Sequence, residues 1–257
     1  MKTESEALVL ECENTLASAL GLATGVLDVI RFDHQNLQQL FAVCLFARLV
    51  ELATACQALL EKNALVALPM LVRSLFEADI DLRNIVTDKD YWKRMRASFL
   101  TQQLKLTKEA ASANPNPFLQ AIRETRTPQE DIERIENELA GLKRGGSGPI
   151  CIRARAERAG HLDVYLTVYN MLCLDTHNNI RSLEDWHIEM KTTNDYHVVL
   201  CKKDKRDLME LLTLIPGILL IQCKAISDFL GIENIDFSPY FRELQAMQVR
   251  AKRSITG

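Results

Sequence analysis

The stretch Leu71–Asn84, LVRSLFEADIDLRN, decides how the chain folds, because it reads both as a helix built for burial and as a helix full of charge. At 100° per residue, Leu68, Val72, Leu75, Asp79, Leu82 and Val86 share one face, and Arg73, Glu77, Asp81 and Asn84 lie roughly opposite. The Arg73–Glu77 and Asp79–Arg83 pairs are both spaced i, i+4, so each predicts an ion pair within the helix. On a solvated face such a pair contributes only about 0.2–0.5 kcal/mol and carries no functional meaning. Asp79 is different. It falls inside the apolar stripe, where an unpaired carboxylate is costly. Either Arg83 turns over to pair it, or the helix is buried on both sides and Arg73, Glu77 and Asp81 form a polar seam between helices. Helical bundles build binding and catalytic sites in such seams.

Outward from this stretch, helical periodicity dominates. Helices are expected over 4–30 and 35–62, the second with Phe41, Leu45, Leu49, Leu52, Cys56 and Leu59 on one face. Pro69 is expected to kink the first half of the charged helix. A further helix over 89–112 is stopped by NPNP at 114–117. Thr127, Pro128 and Glu130 form a capping-box start for a helix to Lys143. GGSGP at 145–149 reads as a flexible loop. A helix or broken pair covers 151–182, and WHIEMK and YHVVLCK around TTND predict a β-hairpin at 186–201. Asp204 caps a long helix ended by Gly231, and Ser238-Pro239 starts the last one. The expected fold is all-α: a single multi-helix bundle over 1–257, with its core at about 35–230 and one small appended β-hairpin near 186–201.

The 257 residues are enough for one large domain or two small ones. Gly and Pro number only 10 and 7, which favours long helices over a turn-rich sandwich. A net charge of −3 argues against a dedicated duplex-DNA binder. The seven cysteines are scattered without C-x-x-C spacing and read as small core residues of a reduced, cytoplasmic chain. The opening MKTESEALVLECENTL lacks the pattern of a signal peptide. LLTLIPGILLIQC at 211–223 is too short to span a bilayer and is broken by Pro216-Gly217, so a buried core helix is expected and no membrane association.

A second polar island lies at 165–181, YLTVYNMLCLDTHNNIR. Leu162, Leu166, Tyr169, Cys173 and His177 share one α-helical face, so His177 ends an apolar stripe. The two islands together carry a resemblance. L-x-R-S-L-x-E (Leu71, Arg73, Ser74, Leu75, Glu77), then A-x-x-x-G-x-x-x-x-Y-x-x-x-Y (Ala156, Gly160, Tyr165, Tyr169), then His177, resembles a family of bacterial helical proteins known only as a domain of unknown function. The resemblance covers about 35–230 and implies a helical fold with an Arg/Glu/His centre. The serine-containing turn usual before that histidine is replaced here by Cys173-Leu174-Asp175-Thr176.

More distantly, the chain resembles the HEPN superfamily, whose members include metal-independent ribonucleases with an R-x(4–6)-H motif that act as dimers. Two stretches have that spacing, Arg155 to His161 and Arg181 to His187. His187 is expected on the hairpin's first strand, and Gly160 is expected to end the helix carrying Arg155. The resemblance implies RNA or a nucleotide as partner, and a homodimer. In such chemistry a histidine moves the 2′-hydroxyl proton and an arginine stabilises the charged phosphorane. Arg73, Glu77 and His177 are the candidate catalytic residues, with Tyr169, Asp81, Arg155 and His161 as candidate substrate contacts. Lys93, Arg94, Arg96, Lys143, Arg144, Arg153 and Arg158 would track phosphates, and Tyr91 or Trp92 would stack on bases.

No metal is expected, since H-E-x-x-H, zinc-like Cys/His spacing and di-iron E-x-x-H are all missing from the sequence. Neither Walker A nor G-x-G-x-x-G is present, and no cofactor is expected. Three readings follow: an RNA- or nucleotide-binding HEPN-like protein that also cleaves RNA in bacterial defence, a non-enzymatic interaction module with a structural polar seam, or a small-molecule-binding bundle with an apolar pocket near Tyr169 and Cys173.

Overall fold

The computed structural model describes residues 4–112, 114–125, 127–177, 179–192 and 195–256. It is all-α apart from one two-stranded hairpin, as the periodicity predicts. Its contacts divide the chain into two compact units, residues 1–86 with 156–257, and residues 87–155.

In the larger unit, α1 (Glu4–Val29), α2 (Leu37–Glu61), α11 (Met209–Leu230) and α12 (Ser238–Thr256) pack together, with α1 touching all three others. α11 is the central helix: Leu212, Ile215, Leu219, Cys223 and Ile226 are buried along it. Its start is specified locally. Asp204 and Asp207 form a reciprocal capping box around a 3-10 turn, Lys205–Leu208, that leads into the helix. Its end is equally local, with Gly231 at φ 67° and Ile232 N donating to Ser227 O at 2.8 Å. By length and composition, Leu37–Glu61 and Lys205–Leu230 would each suffice to cross a membrane. The apolar window of the second is 61% buried inside the protein, as a core helix requires.

α3 (Leu68–Thr87) belongs to this unit up to Val86 and is buried around most of its girth. Phe76, Ala78, Ile80, Asn84 and Ile85 are buried in addition to the expected stripe, so a single apolar face is too narrow a description. Pro69 sits in the first turn, where its missing N–H costs nothing, and it is no mid-helix kink. The 151–182 region is broken into α7 (Ile152–Arg158), α8 (Leu162–Val164), a π turn at Tyr165–Tyr169, α9 (Asn170–Thr176) and α10 (Ile180–His187). Gly160 at φ 71° ends the α7 segment before His161.

The hairpin pairs β1 (Ile188–Thr192) with β2 (Asp195–Val198) antiparallel, Ile188 opposite Val198 and Met190 opposite Tyr196. Trp186 and His187, expected on the first strand, close α10 instead, which places Arg181 and His187 on one helix. The expected TTND turn falls partly on 193–194, outside the described residues.

The smaller unit packs α4 (Tyr91–Ala111) against α5 (Pro117–Thr125) and α6 (Pro128–Arg144). Ala97, Leu100, Ile135 and Leu139 form its core, flanked by Leu104 and Leu142. Arg96 joins α4 to α6 through a two-pronged contact with Glu138 at 2.7 and 3.1 Å. Thr127 does precede α6, but its hydroxyl donates to Glu130 Oε2 at 2.7 Å and caps no backbone N–H. The GGSGP segment carries that helix's C-terminal cap: Gly146 is at φ 74°, and Ser147 N donates to Leu142 O at 2.9 Å.

Candidate functional site

α3 holds two polar clusters in the larger unit, and the 161–169 segment meets both. In the first, the Tyr169 hydroxyl donates to Glu77 Oε1 at 2.8 Å and accepts from Arg73 Nη2 at 3.0 Å and Nε at 3.3 Å. Arg73 and Glu77 also make the expected i, i+4 ion pair at 3.3 Å. Arg73 Cζ stands 5.2 Å from the centroid of the Tyr169 ring, so the guanidinium is held by charge, hydrogen bonds and ring together. The side chains of Arg73 and Glu77 keep 22% and 33% of their surface in solvent, whereas Tyr169 is buried. Burial pushes the Tyr169 phenol up to about 12, with Glu77 adding to the rise and Arg73 opposing it. The ring therefore remains a neutral donor at physiological pH.

In the second cluster, Asp79 is 1% exposed. Arg83 Nε donates to both its oxygens at 3.0 and 3.1 Å, and Gln222 Nε2 of α11 donates to Oδ1. Both routes foreseen for Asp79 are thus taken: Arg83 pairs it, and the helix around it is buried. His161 Nε2 lies 3.5 Å from Asp79 Oδ2 without a hydrogen bond. Burial, helped by Arg83, lowers the His161 pKa below its ordinary 6.5 against the pull of Asp79. Phe76 joins the clusters, its ring centroid 6.0 Å from His161 and 5.9 Å from Tyr169.

The π turn sets this arrangement. One inserted residue turns everything after it by about 100° relative to a continuous α-helix. The α-helical stripe is therefore broken after Leu166, while Tyr169, Cys173 and His177 beyond the turn keep their spacing of four. Tyr169 and Leu172 are buried, Leu166 is half exposed, and His177 is exposed at the C-terminus of α9. Among the described residues the His177 ring makes no hydrogen bond or ion pair with Arg73 or Glu77. Of the candidates, Arg73, Glu77 and Tyr169 are the three joined directly by hydrogen bonds. The turn also stacks Tyr165 on Tyr169, ring centroids 5.1 Å apart and planes 23° apart.

The other candidates fall as follows. Asp81 is half-buried one turn beyond Glu77, and Arg155 lies at the end of the smaller unit. Tyr91 is fully buried and offers no stacking surface, and Lys93 pairs with Asp90 at 2.7 Å. Gln222 was missed by sequence reasoning, because nothing local marks one glutamine on an apolar helix as the partner of a residue 143 positions away. All seven cysteines are free thiols, and burial pushes Cys12, Cys56 and Cys223 up to about 12. Among the described residues no group of three or more His, Cys, Asp or Glu side chains is placed to hold a metal ion.

These features define an all-helical protein with a paired polar seam beside a π turn. Residues 39–197 match the model described as "Family of unknown function (DUF5677)", and the chain belongs to that family. The matched span is narrower than the 35–230 expected, but it includes Arg73, Glu77, Asp79, His161 and Tyr169. No curated protein and no solved structure matches the chain.

Proposed function

We propose that this chain is a HEPN-like helical protein that binds RNA or a nucleotide at the α3 seam. Arg73 would meet a phosphate and Tyr165 would offer its ring to a base. One observation carries the reading: a partly exposed guanidinium already held in place by Tyr169 and Glu77, beside a stacked tyrosine pair. A cation fixed before its ligand arrives loses little freedom on binding. Its Nη1 makes no hydrogen bond among the described residues and is left for an incoming oxygen. The geometry favours binding over cleavage, because a phenol pushed up to about 12 is a poor general base.

The test is fluorescence anisotropy with end-labelled, mixed-sequence single-stranded RNA and with a labelled purine nucleotide, without metal. Saturable binding by the wild type is expected, weakened about tenfold or more in Arg73→Ala. Absence of binding by the wild type, or unchanged binding by Arg73→Ala, defeats the reading. The same RNA on a denaturing gel should remain full-length. Its loss with wild type but not with His177→Ala would restore the ribonuclease alternative.

A structural seam is the second reading, favoured by the way Arg73, Glu77 and Tyr169 satisfy one another. It predicts that Tyr169→Phe lowers stability while Tyr165→Ala changes neither stability nor RNA affinity.

A further inference from the structure

We propose that a separate cavity in the larger unit, formed where α9, α10 and the start of α11 meet, is a binding site for a small aliphatic amine. The cavity holds about 120 Å³, somewhat less than the roughly 150 Å³ that accommodates benzene in an engineered protein core. Leu172, Trp186, Leu208 and Leu211 provide apolar walls, and the first, second and third of these are themselves buried. Asp175, Lys203, Asp207 and Glu210 supply the polar lining, three carboxylates against one ammonium.

Lys203 already displays the chemistry the cavity accepts. Its Nζ stands 4.4 Å from the centroid of the Trp186 ring, so the face of that indole is occupied by an alkylammonium belonging to the chain itself. The indole is fixed from behind. Its Nε1 donates to Asp175 Oδ1 at 2.9 Å, and Ser182 Oγ donates to the same oxygen. The backbone holds Lys203 nearby through Lys202 N donating to Trp186 O at 2.8 Å. Glu210 makes no side-chain hydrogen bond or ion pair among the described residues. Asp207 commits one oxygen to Asp204 N at 2.8 Å. An amine with a short alkyl body would place its carbons on the leucine walls, and its ammonium against Trp186 and Glu210. It would displace the Lys203 head, which is long enough to swing into water. A neutral molecule of the same shape would gain the walls but not the charge, and an anion would meet the carboxylates.

The chain has two tryptophans, so Trp92→Phe in the full-length protein leaves Trp186 as the only indole reporter. Its fluorescence would be titrated with n-butylamine and 1,4-diaminobutane, with n-butanol as the neutral isostere, at constant ionic strength. Saturable quenching by the amines and none by butanol is expected. Lys203→Met should bind butylamine about tenfold tighter, because the competing ammonium is gone, and Glu210→Gln about threefold more weakly. Circular dichroism melts of both variants would verify that the fold is retained. Flat titrations with amines in both the Trp92→Phe protein and its Lys203→Met derivative overturn the proposal. So does quenching by butanol equal to that by butylamine, or a Lys203→Met affinity no tighter than the parent's. None of these substitutions touches Arg73 or the tyrosines, so failure here leaves the RNA-binding reading standing.

Discussion

The two polar clusters of α3 share a helix and a spacing, an arginine and a carboxylate four residues apart, yet they sit in different environments. Asp79 is sealed, and its charge is met by Arg83 and by Gln222 from a distant helix. Glu77 keeps a third of its side-chain surface in water, and its companions are Arg73 and one tyrosine hydroxyl. A buried pair cannot lose a partner without stranding a charge, whereas a partly wet pair falls back on solvent. The difference teaches that pairing geometry alone does not rank these interactions. Burial does.

The comparison breaks if the two carboxylates turn out to matter equally. Arg83→Ala leaves the sealed Asp79 carboxylate with one hydrogen bond, from Gln222, and the His161 ring 3.5 Å away, and should cost the most, about 3–5 kcal/mol by urea denaturation. Tyr169→Phe removes hydrogen bonds to two charged groups and should cost about 1.5–3 kcal/mol in the same assay. Glu77→Gln, on the wet side, should cost no more than about 1 kcal/mol, and less in high salt. A Glu77 loss as large as that of Arg83→Ala would erase the distinction.

Two titrations sharpen it. Burial lowers the folded His161 pKa below its ordinary 6.5, so as pH drops through that value the unfolded chain takes up a proton more readily than the folded chain. Stability should fall as pH drops from 6.5, and His161→Gln should flatten that part of the curve in thermal melts. Tyr169 shifts the opposite edge. Its phenol keeps its proton up to about 12 while an unfolded tyrosine loses it near 10, so stability should decline between those values. Tyr169→Phe should soften that decline, read by melts alongside absorbance at the phenolate band.

Much of this arrangement was legible in the sequence, because its signals are local. Caps at Asp204 and Gly231, the NPNP stop and the i, i+4 pairs of α3 each involve residues within a turn or two of one another. The Asp79 anomaly was legible as well, since a carboxylate on an apolar stripe demands a partner wherever the helix packs. What could not be read was the identity of partners from afar and the local departure from α-helical period. YLTVY contains no glycine or proline to announce a π turn, so a regular wheel left Tyr169 as one residue of an apolar stripe and did not show it as the bridge between Arg73 and Glu77. His187 was misplaced for a simpler reason. WHIEMK alternates like a strand, but its first two residues extend α10, whose end is tied to the hairpin by Val199 N donating to His187 O at 2.8 Å.

The π turn at Tyr165–Tyr169 has a consequence for how the seam can change over generations. Deleting a single codon between Val164 and Tyr169 would return the segment to an ordinary α-helical path and swing whatever follows by about 100°. Tyr169 would leave Arg73 and Glu77, and a neighbour would take its place against α3. The hydrogen-bonded trio is thus one in-frame deletion from being dismantled, with no substitution at any of its three members.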